Sequence, residues 1–191
     1  FPLREDFARG VGEIDGPLVG TRALFLYPLN ALINSQRERL LAWTAHFGKN
    51  LRFCLYNGNT PEEVPAGEQE RSPNEILGRR QLRSAPSPIL VTNATMLEFM
   101  MVRASDAPII DQSAGLLRWI VLDEAHTYLG SSAAEIALLL RRVMHAFRVD
   151  AKDVRFVATS ATIGSGDADQ RLASFLADLA GVDPSQVVVI G

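Results

Sequence analysis

Six short apolar runs punctuate this chain of 191 residues, most of them closed by a polar or small-residue segment. They are Arg22–Tyr27, Leu51–Tyr56, Pro88–Thr92, Trp119–Leu122, Val154–Thr159 and Val187–Ile190. Short runs that are apolar on both faces read as strands covered on both sides, which is the pattern of a parallel sheet. Between them lie stretches of helical period: Leu29–Phe47, a short one over Ile76–Arg83, one that runs to about Arg103, one from Gly130 to about Phe147, and Asp167–Leu179. This alternation leaves few topologies. Right-handed βαβ units put the strands in one parallel sheet with helices on both faces.

Local signals fix the joints. Pro28 ends the first run, and Gly48 is a C′ stop for the helix before it. Ser72-Pro73-Asn74-Glu75 resembles a helix start, with Ser72 as N-cap and Pro73 at the first helical position. Glu62–Arg71 is polar and acid-rich and is expected to be an exposed loop. Asn93 or Thr95 caps the helix carrying Met96, Leu97, Met100 and Met101. Ser105–Gly115 is expected to be irregular, Gly10–Gly20 a loop, and Phe1–Arg9 the end of an amphipathic helix.

Bulk properties exclude less than the pattern does. The net charge is −3, so no overall basic field draws the chain to nucleic acid or anionic membrane. A helix N-terminus can still hold phosphate without Lys or Arg. Cys54 is the only cysteine, which rules out an internal disulfide and suits a reducing, cytoplasmic setting. No apolar run approaches the ~18 residues of a membrane span. His46 and His145 lack partners at metal-ligand spacing, so no zinc site is assigned.

In open α/β sheets, ligands bind beyond the carboxyl ends of the strands. Four polar segments fall there: Pro28-Leu29-Asn30-Ala31, Thr92-Asn93-Ala94-Thr95, Asp123-Glu124-Ala125-His126 and Thr159-Ser160-Ala161-Thr162. Two adjacent carboxylates and an imidazole at a strand end suit nucleotide hydrolysis. Asp123 would hold Mg²⁺ through water, since this ion favours one or two carboxylates plus phosphate oxygens. Glu124 would orient and deprotonate the attacking water. His126 would hydrogen-bond Ser160 or Thr162 and relay the state of the phosphate site. Asn30 and Thr95, at helix starts, suit either phosphate contact or plain capping. Arg71, Arg79, Arg80 and Arg83 read either as a path for nucleic acid or as a solvated arginine face.

The set resembles the first RecA-like domain of superfamily 2 DEAD/DEAH-box helicases. Asp123-Glu124-Ala125-His126 matches motif II, the Walker B box, and Ser160-Ala161-Thr162 matches motif III. Tyr27-Pro28-Leu29-Asn30-Ala31-Leu32 looks like motif Ia, and Thr92-Asn93-Ala94-Thr95-Met96-Leu97 like motif Ib. The wording is closest to the large helicase-related type and its bacterial DNA-helicase relatives. The resemblance implies a RecA-like doubly wound parallel sheet of about six strands, with ATP and Mg²⁺ as ligands. It implies nucleic acid as partner, DNA in preference to RNA, with contacts from Pro28, Asn30, Thr92, Asn93 and Thr95. Asp123, Glu124 and His126 are then catalytic, and Ser160 and Thr162 couple hydrolysis to movement against a second RecA-like domain.

One departure stands out. The family places a G-x-x-x-x-G-K-[ST] loop before motif Ia, and none occurs here. Lys49 and Lys152 are the only lysines, and neither has that setting. The expectation is a partial N-terminal RecA-like domain over residues 1–191, incomplete at its N-terminus and inactive alone. Two other readings remain: a non-catalytic RecA-like module that binds nucleic acid or a partner protein, and a translocase subunit of a defence or restriction complex that moves DNA without unwinding it.

Overall fold

A computed structural model gives the fold, and its described residues are 16–128, 131–160 and 166–188. Six strands form one all-parallel sheet: β1 (Ala23–Leu26), β2 (Phe53–Leu55), β3 (Glu75–Ile76), β4 (Ile89–Thr92), β5 (Trp119–Leu122) and β6 (Arg155–Ala158). Their order across the sheet is β3-β2-β4-β1-β5-β6. The helices are α1 (Asn30–Ser35), α2 (Arg37–Thr44), α3 (Ala66–Arg71), α4 (Arg79–Ser84), α5 (Ala94–Val102), α6 (Ala107–Asp111), α7 (Ser131–Ala146) and α8 (Gly166–Ala180). This is the α/β architecture expected from the alternating pattern.

Period-2 alternation sorts the strand residues into two cores. Leu24, Leu26, Leu90, Ile120 and Leu122 face Met96, Leu97 and Met100 of α5 and Ile136, Leu140 and Val143 of α7. Phe53, Ile89 and Val91 face Ile33 of α1 and Leu40 of α2. Nearly all of these side chains are fully buried. Each Leu or Ile so removed from water contributes roughly 1.5–3 kcal/mol, an upper value because unfolded chains already bury some apolar surface. No helix among the described residues is long and apolar enough to cross a membrane.

Several expectations are corrected. The helix start predicted at Ser72–Glu75 is instead the approach to a strand. Glu75 pairs beside Phe53, and its buried carboxylate takes Arg37 in a two-pronged ion pair, at 2.9 and 2.6 Å. Asn74 Nδ2 donates to Thr44 Oγ1 (2.7 Å) and Leu41 O (3.1 Å). These tertiary partners outweigh the local capping signal, and the helix starts only at Arg79. The expected loop Glu62–Arg71 contains α3. Its Gln69 amide donates to Ser72 O and Glu75 O and accepts from Leu77 N, tying the helix to β3. The stretch Leu29–Phe47 is divided at Gln36 into α1 and α2, and nothing in the local sequence marks that break. Ser105–Gly115, expected to be irregular, contains α6.

At the other end of the sheet, β6 is not buried on both faces. Arg155 is exposed, Val157 is 36% exposed, and Trp119 and Val121 beside them are half-buried. Arg155 covers part of that face by lying over the Trp119 ring, 5.0 Å from its centroid. Val187 and Val188 form no strand; a capped turn at Pro184–Gln186 precedes them, and Val189 and Ile190 lie outside the described residues. The sixth strand is therefore the two-residue β3. The predicted helix end Phe1–Arg9 also lies outside the described residues.

Candidate functional site

Register alone assembles the site. Leu26 lies opposite both Thr92 and Leu122, and Leu122 lies opposite Ala158. Four strands thus end at one level, and the next residues, Asn93, Tyr27, Asp123 and Thr159, stand in a row along the sheet edge. Backbone pairing continues past the last strand residues. Asp123 N donates to Leu26 O (2.9 Å), Thr159 N to Leu122 O (2.9 Å), and Ala125 N to Thr159 O (2.7 Å). The Thr159 hydroxyl donates to Asp123 Oδ1. Asp123 is therefore held from both neighbouring strands.

Glu124 has φ +51°, the left-handed region, which costs a side-chain-bearing residue roughly 1–2 kcal/mol. Thr127 stabilises the turn, its N–H and hydroxyl both donating to Glu124 O at 2.9 and 2.8 Å. The turn brings Glu124 Oε2 within 3.2 Å of His126 Nδ1. That contact is within ion-pair distance but lacks hydrogen-bond geometry, so this buried carboxylate oxygen has no hydrogen-bond partner among the described residues. Ser160 Oγ stands 3.5 Å from the same imidazole nitrogen. Asp123, Glu124, His126 and Ser160 thus meet as one cluster, while Thr162 lies outside the described residues. The negative field of the cluster reaches two buried phenols. Burial, with Asp123 adding to it, pushes the Tyr27 and Tyr128 hydroxyls up to about 12.

Beside this cluster, the expected strand contacts divide. Asn93 caps α5, its Oδ1 accepting from Met96 N at 2.7 Å, which settles the choice between Asn93 and Thr95 as the cap. Its Nδ2 donates to Asn30 Oδ1 at 2.6 Å and so joins the loops after β1 and β4. Asn30 is exposed at the start of α1 and makes no side-chain cap there. Thr95 is exposed and Pro28 half-buried. Thr92 is different: it is fully buried, and its hydroxyl donates to Tyr56 O (2.7 Å), tying β4 to β2.

The arginines after the acid-rich loop are held by protein groups. Arg79 donates to the carbonyls of Thr60 and Asn57 and lies over the Tyr56 ring. Arg80 pairs with Glu63. Arg83 pairs with Glu62 and with the buried Asp106, which also accepts from Tyr56 Oη (2.6 Å). Neither open reading describes Arg79 and Arg83, whose head groups are taken up by protein acceptors; Arg71 and Arg80 are exposed, as in a solvated arginine face. Lys49 precedes β2 and Lys152 precedes β6, so both lie at the opposite edge of the sheet from Asp123. Thr159 was not among the expected site residues. The signal that could have found it is its place directly after an apolar run aligned with Trp119–Leu122.

Similarity to known proteins follows this geometry. Residues 11–170 match the family model for the DEAD/DEAH box helicase. The chain is 34% identical over 118 residues to Druantia protein DruE of Escherichia coli strain UMEA 4076-1, covering 58% of this chain and 6% of that protein. It is 29% identical over 147 residues to the uncharacterized ATP-dependent helicase YprA of Bacillus subtilis strain 168, covering 75% of this chain and 17% of that protein. Among solved structures it resembles the DUF1998 helicase MrfA, with a TM-score of 0.59 and 26% identity over 85% of this chain and 22% of that one. MrfA bound to DNA and AMPPNP gives a TM-score of 0.56 and 28% identity, over 85% of this chain and 20% of that one. The chain thus spans under a quarter of the length of each of these relatives. With the model matching most of its length and the acid–histidine cluster at the matching strand end, the chain belongs to the DEAD/DEAH box helicase family.

Proposed function

We propose that this chain serves as the first RecA-like domain of an ATP-dependent helicase acting on nucleic acid, DNA in preference to RNA, in the cytoplasm. The observation that carries the reading is the buried, unpartnered Glu124 Oε2 beside Asp123 and His126 at one strand end. A desolvated acceptor without a partner is costly unless something arrives to use it. The Glu124 side chain is still 32% exposed, so an attacking water beside the carboxylate would lose its proton to it.

Asp123 fits Mg²⁺. No group of three or more His, Cys, Asp or Glu side chains able to cage a metal forms among the described residues. An ion at Asp123 would therefore keep most of its water, as Mg²⁺ prefers. When bound, it would neutralise charge developing on the transferred phosphate. Thr159 orients Asp123 from β6, and His126 lies between Glu124 and Ser160, so Ser160 is placed to couple the site to a second RecA-like domain; by the motif resemblance Thr162 shares that role. The triphosphate itself finds no lysine at this edge, so a full ATP site needs groups beyond those described. Asn30, Asn93, Thr95 and Pro28 form the strand-contacting rim. The DNA complex of MrfA supports that reading by similarity.

The test has two arms. The 191-residue chain alone should bind single-stranded DNA but show no Mg²⁺-dependent ATP turnover. In the full-length protein, Glu124→Gln should keep nucleotide binding and lose hydrolysis by roughly 10²–10⁴-fold, the usual worth of a general base. Hydrolysis that survives Glu124→Gln would remove Glu124 from its role.

A further inference from the structure

A cavity of about 320 Å³ opens between the N-terminal halves of α5 and α7, bounded below by the turn Ala125–Tyr128. This volume suits one small ligand. Its walls are of two kinds. Pro28, Ile136 and Leu139 offer apolar surface, and Tyr128 adds an aromatic ring. Glu98 and Glu135 bring two carboxylates, of which Glu98 has only a distant partner, Arg142 at 4.0 Å. Asn93 and Thr95, at the start of α5, form the rim nearest the strand contacts proposed above.

The chemistry narrows the ligand. Two carboxylates repel phosphate, so the cavity is not a backbone site. They accept hydrogen bonds from amino groups, and the apolar walls accept a flat ring. Tyr128 is 8% exposed, and its hydroxyl has no hydrogen-bond partner among the described residues, although buried polar groups are normally paired. A nucleobase with an exocyclic amine carries a donor for the carboxylates and a flat face for the apolar walls and the Tyr128 ring. Thymine has only the N3–H to give on this edge, and the carbonyl oxygens on either side of it would be turned toward Glu98 and Glu135.

We infer that this cavity receives one unstacked base of the bound strand and selects bases bearing an exocyclic amino group, adenine, cytosine and guanine, over thymine. The inference rests on the proposed nucleic-acid reading. It also gives strand binding a direct route to the hydrolytic cluster. Thr127 lines the cavity and donates twice to Glu124 O, and His126 belongs to the same turn.

The test is fluorescence anisotropy of the 191-residue chain with labelled homopolymers of dA, dC and dT at fixed salt. The oligonucleotides should be about twelve nucleotides long, within the usual range of single-strand sites. The chain should bind dA and dC at least about fivefold more tightly than dT, the low end of discrimination by a paired base edge. Glu135→Gln and Glu98→Gln should each bring the dC-to-dT ratio toward one. Equal affinity for all three homopolymers, or a ratio that survives both substitutions, would overturn the base pocket while leaving strand binding intact. Failure to bind any of the oligonucleotides would instead remove the nucleic-acid reading, and the pocket with it.

Discussion

Asn93 carries two separable loads, and substitution can part them. Its Oδ1 caps α5, and its Nδ2 holds Asn30 across the sheet edge. Loss of an N-cap typically costs about 1 kcal/mol. The bond to Asn30 is exposed and neutral, so its net worth is the lower value, about 0.5 kcal/mol. Asn93→Ala loses both and should lower unfolding free energy by about 1.5 kcal/mol. Asn93→Ser keeps a capping oxygen and should lose only about 0.5 kcal/mol. Asn30→Ala removes the other end of the same bond and should match the serine variant. Urea denaturation of the chain measures all three, and a double-mutant cycle between Asn30→Ala and Asn93→Ser should return a coupling near 0.5 kcal/mol. Strand affinity adds a second readout. Under the proposed function both bridge-breaking variants should weaken single-strand binding, because they release the two loops from each other while leaving α5 folded. If Ser costs as much stability as Ala, the cap is not the larger load. If the cycle shows no coupling, the bridge is not energetically real.

Two further outcomes test the frame around the site. Asp106→Ala should destabilise the chain by about 1–3 kcal/mol, since it takes the buried acceptor from Tyr56 Oη and Arg83 Nε while Arg83 keeps Glu62; urea denaturation checks this, and a loss below about 0.5 kcal/mol would show the network to be dispensable. The chain's three tyrosines, Tyr27, Tyr56 and Tyr128, are all pushed up to about 12, chiefly by burial. The folded chain holds these protons more tightly than the unfolded chain does, so their contribution to stability is complete below about pH 10 and is lost as pH rises toward 12. Ultraviolet titration should show no tyrosinate near pH 10 in the folded chain, whereas ordinary titration there would mean that the phenols are solvated.

The parts legible in the sequence were those set by a strict period. The runs around Leu24, Leu90 and Ile120 alternate faces, and each became a strand of the expected parallel sheet. Asp123 was legible because it directly ends such a run. What escaped was set by distant partners. Glu75 reads locally as the third residue of a capped helix, yet Arg37, thirty-eight residues away, draws it into a strand. Arg79, Arg80 and Arg83 look like a basic face until Glu62, Glu63 and Asp106 are placed beside them. Thr92 ends its strand as expected, but Tyr56 O takes its hydroxyl and buries it, so it does not stand with the other expected strand contacts.

The site follows from the same rule at finer scale. Asp123 and Thr159 are thirty-six residues apart, and no local pattern joins them. They meet because β5 and β6 are paired in parallel with Leu122 opposite Ala158, so that each strand's next residue emerges at the same height. A slip of one residue would turn Ile120 and Leu122 away from their core and would also separate Asp123 from Thr159. Fold stability and site geometry therefore share one register. The departure that register does not require is the left-handed backbone of Glu124, and it occurs where the chain must turn from the strand to set a carboxylate against His126. Local strain of this kind persists only where surrounding structure holds it. Thr127 closes the turn from one side and Ala125 N anchors it to Thr159 O on the other, so the strain is confined to the residue proposed to take the proton.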